Sequence, residues 1–176
     1  MRTLVLGGIR SGKSRWAEEA IAETAGQLPV NYLATGPVAD TGSWAARVAA
    51  HRERRPAHWA TVESADVATQ LRRSPGSAAL VDDVGNWLTA VMDRRQAWTD
   101  GSVDEDVTDF VNAVHVFGSP LVLVSPEVGL TVVPATESGR RFADALGSLN
   151  QRLAQVCDRV VLVVAGQPVT IKPQRS

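Results

Sequence analysis

The eight residues from Gly7 to Ser14 constrain the fold of this chain more than any other segment. They read GGIRSGKS and match the spacing G-x-x-x-x-G-K-[ST] without a gap. The apolar run Thr3–Leu6 precedes them and the amphipathic run Ser14–Ala25 follows them, so the motif falls between a predicted strand and a predicted helix. Small residues let such a loop curl until its backbone N–H groups converge on an anion at the helix N-terminus. The segment therefore predicts a phosphate-binding loop (P-loop) in an α/β fold.

The residue types in this loop are those that nucleotide binding requires. Lys13 can reach the β- and γ-phosphates as a mobile positive charge, and the Ser14 hydroxyl can ligate Mg²⁺. A chance match somewhere in a chain of this length is expected at roughly the one per cent level, and the flanking strand and helix lower that further. We therefore predict a catalytic role for Lys13 and nucleotide binding by Gly7, Gly8, Ile9, Arg10, Ser11, Gly12, Lys13 and Ser14.

Short apolar runs alternate with longer amphipathic runs along the whole chain. This alternation predicts helices layered on a mainly parallel sheet, whose central strands are apolar because both of their faces are covered. The short connection between the last two strands predicts an antiparallel hairpin at one sheet edge. The predicted strands are Thr3–Leu6, Val30–Ala34, Ala60–Val62, Ala79–Val81, Leu121–Val124, Val160–Val164 and Val169–Ile171. The predicted helices are Ser14–Ala25, Trp44–Arg54, a helix containing Trp87, Leu88 and Val91, Val103–Phe117 and Gly139–Val156.

Composition and charge exclude several classes of protein. Hydrophobic residues make up 44% and charged residues 21%, which is typical of a single globular domain, here residues 1–176. The net charge of −1 gives no general field for attracting nucleic acid or an acidic membrane surface, and no stretch approaches the roughly 20 apolar residues that span a bilayer. The single cysteine, Cys157, allows no intrachain disulfide and is predicted to be a buried thiol. We expect a cytoplasmic protein without a nucleic-acid or membrane partner.

A pair of acidic residues follows the predicted strand Ala79–Val81. A P-loop needs a carboxylate on a neighbouring strand to hold the metal or its water, and ligands bind at the carboxyl ends of strands in open α/β sheets. We predict that Asp82 holds the metal together with Ser14, with Asp83 as an alternate or supporting partner. The alternative is that the two aspartates only cap the following helix.

The segment WAARVAAHRERRPAHWATVE places a histidine among arginines. If it is helical, Arg47, His51 and Arg55 share one face. Neighbouring cations lower the pKa of a histidine and favour the neutral form, which can act as a nucleophile. The alternative on these residues alone is an exposed basic helix with an incidental histidine. Packing or surface roles are the better interpretation of the other two histidines, His58 and His115.

Several blocks of the sequence together resemble one family, the bifunctional adenosylcobinamide kinases/adenosylcobinamide-phosphate guanylyltransferases. The blocks cover nearly the whole chain in the family's order. Many families share the P-loop, whereas the blocks with the patterns HRxxRPxxWxTVE and EVGxxxVP…GxxNQ are much more specific. The resemblance implies a three-layer, RecA-like P-loop fold and a homo-oligomer, of which a trimer is known in the family. The blocks are LVLGGIRSGKSRWAE, YLATG, HRERRPAHWATVE, LVDDVGNWLT, EVGLTVVP and RRFADALGSLNQRLAQVCDRVVLVVAGQPVTIK.

The resemblance also implies two reactions and the residues that perform them. The chain would phosphorylate adenosylcobinamide with ATP or GTP in the presence of Mg²⁺. It would then transfer GMP from GTP, through a covalent guanylyl-histidine, to adenosylcobinamide phosphate, giving adenosylcobinamide-GDP in cobalamin biosynthesis. His51 stands at the position of the family's guanylylated histidine. The positions that correspond to nucleotide contacts are Thr35, Gly36, Pro37, Arg52, Glu53, Arg54, Arg55, Glu63 and Asp82.

Two departures from the family's pattern bear on whether both activities are present. Pro126 stands where the family usually has an asparagine before Glu-Val-Gly, and Asp83 stands where it often has a small residue or cysteine. Either change could weaken one of the two activities. The alternative functions are a small-molecule P-loop kinase without guanylyl transfer and a nucleotide-dependent regulatory module.

Overall fold

The computed structural model of the chain describes residues 1–36 and 56–174. The predicted helix Trp44–Arg54 lies outside these residues. The strands are β1 (Arg2–Gly7), β2 (Val30–Ala34), β3 (Ala60–Glu63), β4 (Ala78–Asp82), β5 (Leu121–Pro126), β6 (Arg159–Val164) and β7 (Gln167–Lys172). The helices are α1 (Lys13–Ala25), α2 (Val67–Arg73), α3 (Val84–Arg95), α4 (Asp104–Val116) and α5 (Glu137–Val156).

The strands form one sheet in the order β3-β2-β4-β5-β1-β6-β7. Each neighbouring pair is parallel except β6 and β7, which form the antiparallel hairpin predicted at the sheet edge. One face of the sheet packs against α1 through a buried cluster that includes Val5, Ile21 and Leu80. The opposite face packs against α2 to α5 in a larger cluster. The predicted α/β fold with helices on both sheet faces is therefore confirmed, and all of the predicted strands are present.

Helix α2 is the element that the sequence reasoning did not predict. It spans only seven residues, too few for a periodic pattern to be read with security. A local signal was nonetheless present, because Asp66 caps the helix by accepting a hydrogen bond of 3.1 Å from the Thr69 N–H. Val67 and Leu71 then lie buried on one face of this helix of about two turns. Within the described residues, no helix has both the length and the apolar character needed to cross a bilayer.

The turn between β6 and β7 lies directly against the P-loop. The Gly166 N–H donates a 2.7 Å hydrogen bond to the Ser11 carbonyl. A Cβ on Gly12, whose φ is 93°, would lie only 3.1 Å from the Gly166 Cα. Ala165 and Gly166 both have positive φ, as expected for a tight two-residue hairpin turn. The hairpin therefore supports the loop from the side away from β5.

At the other end of the sheet, where the parallel strands begin, Lys172 pairs with backbone carbonyls at the end of α5. Lys172 caps the C-terminus of α5, with its Nζ donating to the carbonyls of Ala154 at 2.9 Å and Cys157 at 2.6 Å. Cys157 is buried, and this burial raises the pKa of its thiol to about 12. The prediction of a buried thiol at Cys157 is confirmed.

Candidate active site

The P-loop connects β1 to α1 through a tightly folded segment. A Cβ on Gly7 would lie 2.4 Å from the Ser11 Oγ and 2.8 Å from the Val163 carbonyl oxygen, so the position admits only glycine. Arg10 and Gly12 adopt positive φ values, of 55° and 93°, which curl the loop. The N-cap residue of α1 is Gly12, which has no side chain, and the Ser11 Oγ accepts a long hydrogen bond of 3.4 Å from the Lys13 N–H. The positive end of the α1 dipole lies at the loop, as anion binding requires.

Lys13 lies at the start of α1 with its ammonium group beside the loop. Its Nζ donates a 3.3 Å hydrogen bond to the Gly8 carbonyl, which is a neutral acceptor. Gly8, Ile9 and Arg10 are exposed, whereas Ser11 is buried beneath them. The loop is thus held through its buried residue Ser11, while Gly8, Ile9 and Arg10 face solvent. The Lys13 ammonium group can exchange the Gly8 carbonyl for a phosphate oxygen.

The two aspartates at the end of β4 have different hydrogen-bond partners. Asp82 accepts a 3.3 Å hydrogen bond from the Ser14 hydroxyl at its Oδ1, which brings together the two predicted metal-binding residues. Asp83 is the N-cap of α3 and accepts a 2.7 Å hydrogen bond from the Asn86 N–H. The helix-capping interpretation therefore holds for Asp83, whereas Asp82 faces the Ser14 hydroxyl and keeps the metal-binding prediction.

The Asp83 carboxyl lies in a setting that disfavours its charge. Burial raises its pKa above the ordinary value, and the neighbouring charge of Asp82 raises it further. The Asn86 N–H and the charge of Lys13 act in the opposite direction. Among the two carboxyls, Asp82 is consequently the better candidate to meet a cation.

The donor set formed by Ser14 and Asp82 fits Mg²⁺. Mg²⁺ prefers oxygen ligands and is commonly bound through one or two protein oxygens together with substrate phosphates and waters. Over residues 1–36 and 56–174 there is no group of three or more His, Cys, Asp or Glu side chains that could hold a metal ion. The described site therefore suits a metal that arrives with a nucleotide rather than one held entirely by protein side chains.

Several other predicted residues lie at the same carboxyl edge. Thr35 is buried, and its hydroxyl donates a 2.6 Å hydrogen bond to the Asp83 carbonyl while its N–H donates to the Asp82 carbonyl at 3.3 Å. Gly36 follows it, and Glu63 ends β3, the strand beside β2. Thr35 thus fastens the end of β2 to the end of β4. The predicted residues Pro37, His51, Arg52, Glu53, Arg54 and Arg55 lie outside the described residues.

Tyr32 is a site residue that sequence reasoning missed. It lies within β2, is only 2% exposed, and donates a 2.5 Å hydrogen bond from its hydroxyl to Asp82 Oδ2. In the sequence it looks like one more apolar residue of a buried strand. The available signal was its phenolic hydroxyl, because a buried tyrosine needs a polar partner and the nearest acidic strand end supplies one.

Pro126 ends β5 directly beside Gly7. Its ring packs against α3, since a Cβ on Gly85 would lie 2.9 Å from the Pro126 Cγ. Its carbonyl accepts a 3.1 Å hydrogen bond from the Asn150 amide, whose oxygen accepts one of 2.6 Å from the Ser125 hydroxyl. This departure from the family's pattern is therefore accommodated by packing and by backbone hydrogen bonding.

The segment after β5 borders a pocket of about 530 Å³ on the α5 side of the sheet. Glu127 begins this segment, with its N–H donating to the Gly7 carbonyl at 3.1 Å. Arg140 of α5 ties down its far end by donating to the carbonyls of Pro134 at 3.0 Å and Ala135 at 2.9 Å. The guanidinium lining this pocket is thus already engaged in holding the loop.

The two described histidines carry exposed side chains. His58 lies in the turn before β3, and His115 lies in the last turn of α4, where its backbone carbonyl accepts a hydrogen bond from Arg2. Both are on the surface, in agreement with the prediction for His115. His51 remains the predicted nucleophile.

Comparison with known proteins identifies relatives over the whole chain. Residues 3–171 match the family model described as cobinamide kinase / cobinamide phosphate guanyltransferase. The chain is 41% identical over 177 residues to the bifunctional adenosylcobalamin biosynthesis protein CobP of Pseudomonas aeruginosa, covering 98% of each protein. It is 36% identical over 185 residues to CobU of Salmonella typhimurium, covering 98% of this chain and 100% of that protein.

A solved structure confirms the fold class at much lower sequence identity. The chain resembles a prototypical ATPase from the type III secretion system of pathogenic bacteria, with a TM-score of 0.55 and 11% identity. The similarity covers 92% of this chain and 51% of the ATPase chain. At this identity the likeness concerns the arrangement of strands and helices alone.

Proposed function

Because the chain belongs to the cobinamide kinase / cobinamide phosphate guanyltransferase family, we propose that it phosphorylates adenosylcobinamide and then guanylylates the product. It is a bifunctional enzyme of adenosylcobalamin biosynthesis. The mechanism is supported mainly by one observation. Lys13, Ser14 and Asp82 all lie beside the P-loop, at the carboxyl ends of the parallel strands. This arrangement is the one that phosphoryl transfer requires.

In the first reaction, the hydroxyl of the aminopropanol arm of adenosylcobinamide attacks the γ-phosphate of ATP or GTP. The bond from the γ-phosphorus to the bridging oxygen breaks, and the nucleoside diphosphate leaves. Lys13 and the N–H groups of the P-loop stabilise the charge on the transferred group. Ser14 and Asp82 would hold Mg²⁺, which supplies further charge neutralisation when bound.

In the second reaction, a neutral His51 attacks the α-phosphate of GTP and pyrophosphate leaves. The product is a phosphoramidate, a guanylyl-enzyme whose P–N bond retains a high transfer potential. The phosphate of adenosylcobinamide phosphate then displaces His51 and yields adenosylcobinamide-GDP. Support for this role is the position of His51 in the block HRERRPAHWATVE and the arginines next to it, which can bind phosphates.

The alternative is a kinase that lacks the guanylyl step, and Pro126 is the reason to consider it. The environment of Pro126 speaks against this alternative. The carbonyl of Pro126 is hydrogen-bonded to Asn150, and the ring fills the space beside Gly85. The strand end beside the P-loop is thus held in place without the asparagine side chain. A cytoplasmic location and a trimeric assembly stay predictions.

The covalent step is tested by incubating the purified protein with α-labelled GTP and Mg²⁺, followed by denaturing electrophoresis and intact-mass measurement. We expect an acid-labile GMP adduct in the wild-type protein that is absent from His51→Ala. His58→Ala is the matched control, because His58 is an exposed histidine in the same block of sequence, and it should retain the adduct. Loss of the adduct in His51→Ala should leave part of the phosphorylation of adenosylcobinamide intact.

An adduct of undiminished yield in His51→Ala would contradict the assignment of the nucleophile. Absence of any adduct from the wild-type protein, together with γ-phosphate transfer to cobinamide, would support the kinase alternative.

A further inference from the structure

We propose that Tyr32 is a positioning residue that holds the Asp82 carboxylate in the orientation needed to receive the nucleotide-bound metal. The inference rests on the proposed function, since it concerns the metal that accompanies the nucleotide. Three observations carry it: the sheet register that aims Tyr32 at Asp82, the division of the two carboxylate oxygens between two hydroxyls, and the burial of the phenol.

The register of β2 against β4 places the two side chains on the same face of the sheet. Tyr32 is paired with Leu80, and Ala34 is paired with Asp82. Because side chains alternate along a strand, Tyr32, Leu80 and Asp82 all point to the face that α1 covers. Tyr32 and Leu80 belong to the cluster packed under α1, whose first turn carries Ser14. The tyrosine ring is long enough to reach two residues along its strand to the carboxylate.

The oxygens of Asp82 are divided between two hydroxyl donors. Ser14 donates to Oδ1 at 3.3 Å, whereas Tyr32 donates to Oδ2 at 2.5 Å. The Ser14 hydroxyl is itself a predicted metal ligand, so its geometry must change when a metal arrives. The Tyr32 hydroxyl is not one of the predicted metal ligands. It can therefore hold one carboxylate oxygen while the other turns toward the metal or a metal-bound water.

Burial makes this hydrogen bond rigid. Tyr32 is 2% exposed, and its ring packs in the α1-side cluster with Val5, Ile21 and Leu80. A buried phenol gains from a charged acceptor, and a packed ring has little freedom to rotate its hydroxyl away. Thr35 fixes the backbone of the same two strands by donating to the Asp83 carbonyl at 2.6 Å. Two residues in or directly after β2 thus contact Asp82: Tyr32 donates to its carboxylate, and the Thr35 N–H donates to its backbone carbonyl.

The test is a cycle of Tyr32→Phe, Asp82→Asn and the double variant. The readout is the dissociation constant for Mg²⁺, measured by titration calorimetry on protein saturated with a non-hydrolysable GTP analogue, so that no turnover is involved. Thr24→Val is the control, because it also removes a partly buried hydroxyl, one that donates at 2.8 Å to the Ala20 carbonyl within α1. Thermal unfolding of each variant reports any purely structural effect.

We expect Tyr32→Phe to raise the dissociation constant for Mg²⁺ by roughly 10- to 100-fold, as is usual when a group that orients a metal ligand is removed. Affinity for the analogue in EDTA should stay within about twofold, and Tyr32→Phe should add no more than about twofold in the Asp82→Asn background. Thr24→Val should leave the Mg²⁺ constant unchanged.

Three results would overturn the inference: an unchanged Mg²⁺ constant in Tyr32→Phe, an equal loss in the Asp82→Asn background, or an equal loss in Thr24→Val. Each of these stands apart from the corrinoid chemistry. A wild-type protein that modifies no corrinoid, yet shows the expected Mg²⁺ cycle, would contradict the proposed function and support the role of Tyr32.

Discussion

Asp82 lies at the carboxyl ends of the parallel strands and Asp158 at their amino ends, and the two carboxylates have different kinds of hydrogen-bond partner. Asp158 precedes β6 and accepts hydrogen bonds from Arg2, at 2.7 Å from the backbone N–H and at 3.0 Å from the guanidinium Nη2. Asp82 ends β4 and accepts from two neutral hydroxyls, those of Ser14 and Tyr32. Within residues 1–36 and 56–174, no ion pair includes Asp82. The charge of Asp158 is thus paired with a cation of the fold, whereas the partners of the Asp82 carboxylate among the described residues are neutral hydroxyls.

The two lysines of the chain repeat this contrast. Lys172 places its ammonium group over the last carbonyls of α5, where a cation completes the helix end. The Lys13 ammonium group donates only to the Gly8 carbonyl among the described residues, at 3.3 Å, and lies at the N-terminus of α1. Among the described residues, neither Lys13 nor Asp82 forms an ion pair, and both lie beside the P-loop at the carboxyl ends of the parallel strands. Preorganised charges of this kind are what a site for Mg²⁺ and a nucleotide requires.

The largest effects are expected when each lysine is replaced singly by alanine. Lys13→Ala should lower both transfer rates by roughly 100-fold or more, because a charge stabilising the transferred group is lost. Its free energy of unfolding should barely change. Lys172→Ala should show the reverse, with full activity per folded molecule and a loss of about 1–3 kcal/mol in the free energy of unfolding. Product formation and urea denaturation measure the two effects.

A stability loss in Lys13→Ala as large as that in Lys172→Ala would contradict the separation of roles, as would an unchanged transfer rate.

A smaller effect is expected at the Arg2–Asp158 pair. The hydrogen bond from Arg2 holds the pKa of Asp158 below its ordinary value, although burial alone would raise it. A depressed folded-state pKa stabilises the protein at pH values above the unfolded pKa, and this contribution is lost as the pH falls through the folded pKa. Because the pair is partly exposed, with side chains 21% and 35% exposed, Asp158→Asn should cost only about 1 kcal/mol at neutral pH.

The measurement is the urea midpoint of the wild-type protein and Asp158→Asn at neutral and strongly acidic pH. The two proteins should differ at pH 7 and converge in acid. Asp109→Asn is the matched control, since its partner Arg72 forms a more exposed pair whose removal should cost less. A difference between Asp158→Asn and the wild-type protein that persists undiminished in acid would show that the carboxylate charge is not its cause.

Local patterns in the sequence predicted most of the fold and part of the site. The P-loop was recognisable because its function depends on residue type and spacing within eight consecutive positions. The strands were recognisable because burial on both faces demands continuous apolar runs. Asp82 and Asp83 were found as a pair, and strand alternation places Asp82 on the same face as Leu80, the face that α1 covers.

The partnership between Tyr32 and Asp82 could not be predicted in the same way. It depends on β2 lying beside β4, a sheet order that alternation of strands and helices does not specify. The packing of Pro126 against Gly85 likewise depends on how α3 approaches the end of β5. Such contacts between distant parts of the chain require the three-dimensional arrangement.

We propose above all that Lys13, Ser14 and Asp82, at the carboxyl ends of the parallel strands, serve both transfer reactions. Comparison of Asp82→Asn with Asp158→Asn tests this most directly. Each protein is incubated with adenosylcobinamide, GTP and Mg²⁺, and the corrinoid products are followed by mass spectrometry. The account predicts that the wild-type protein and Asp158→Asn form the phosphorylated corrinoid and then its GDP derivative, whereas Asp82→Asn forms both roughly 100-fold more slowly. Asp82→Asn retaining both rates would contradict the account.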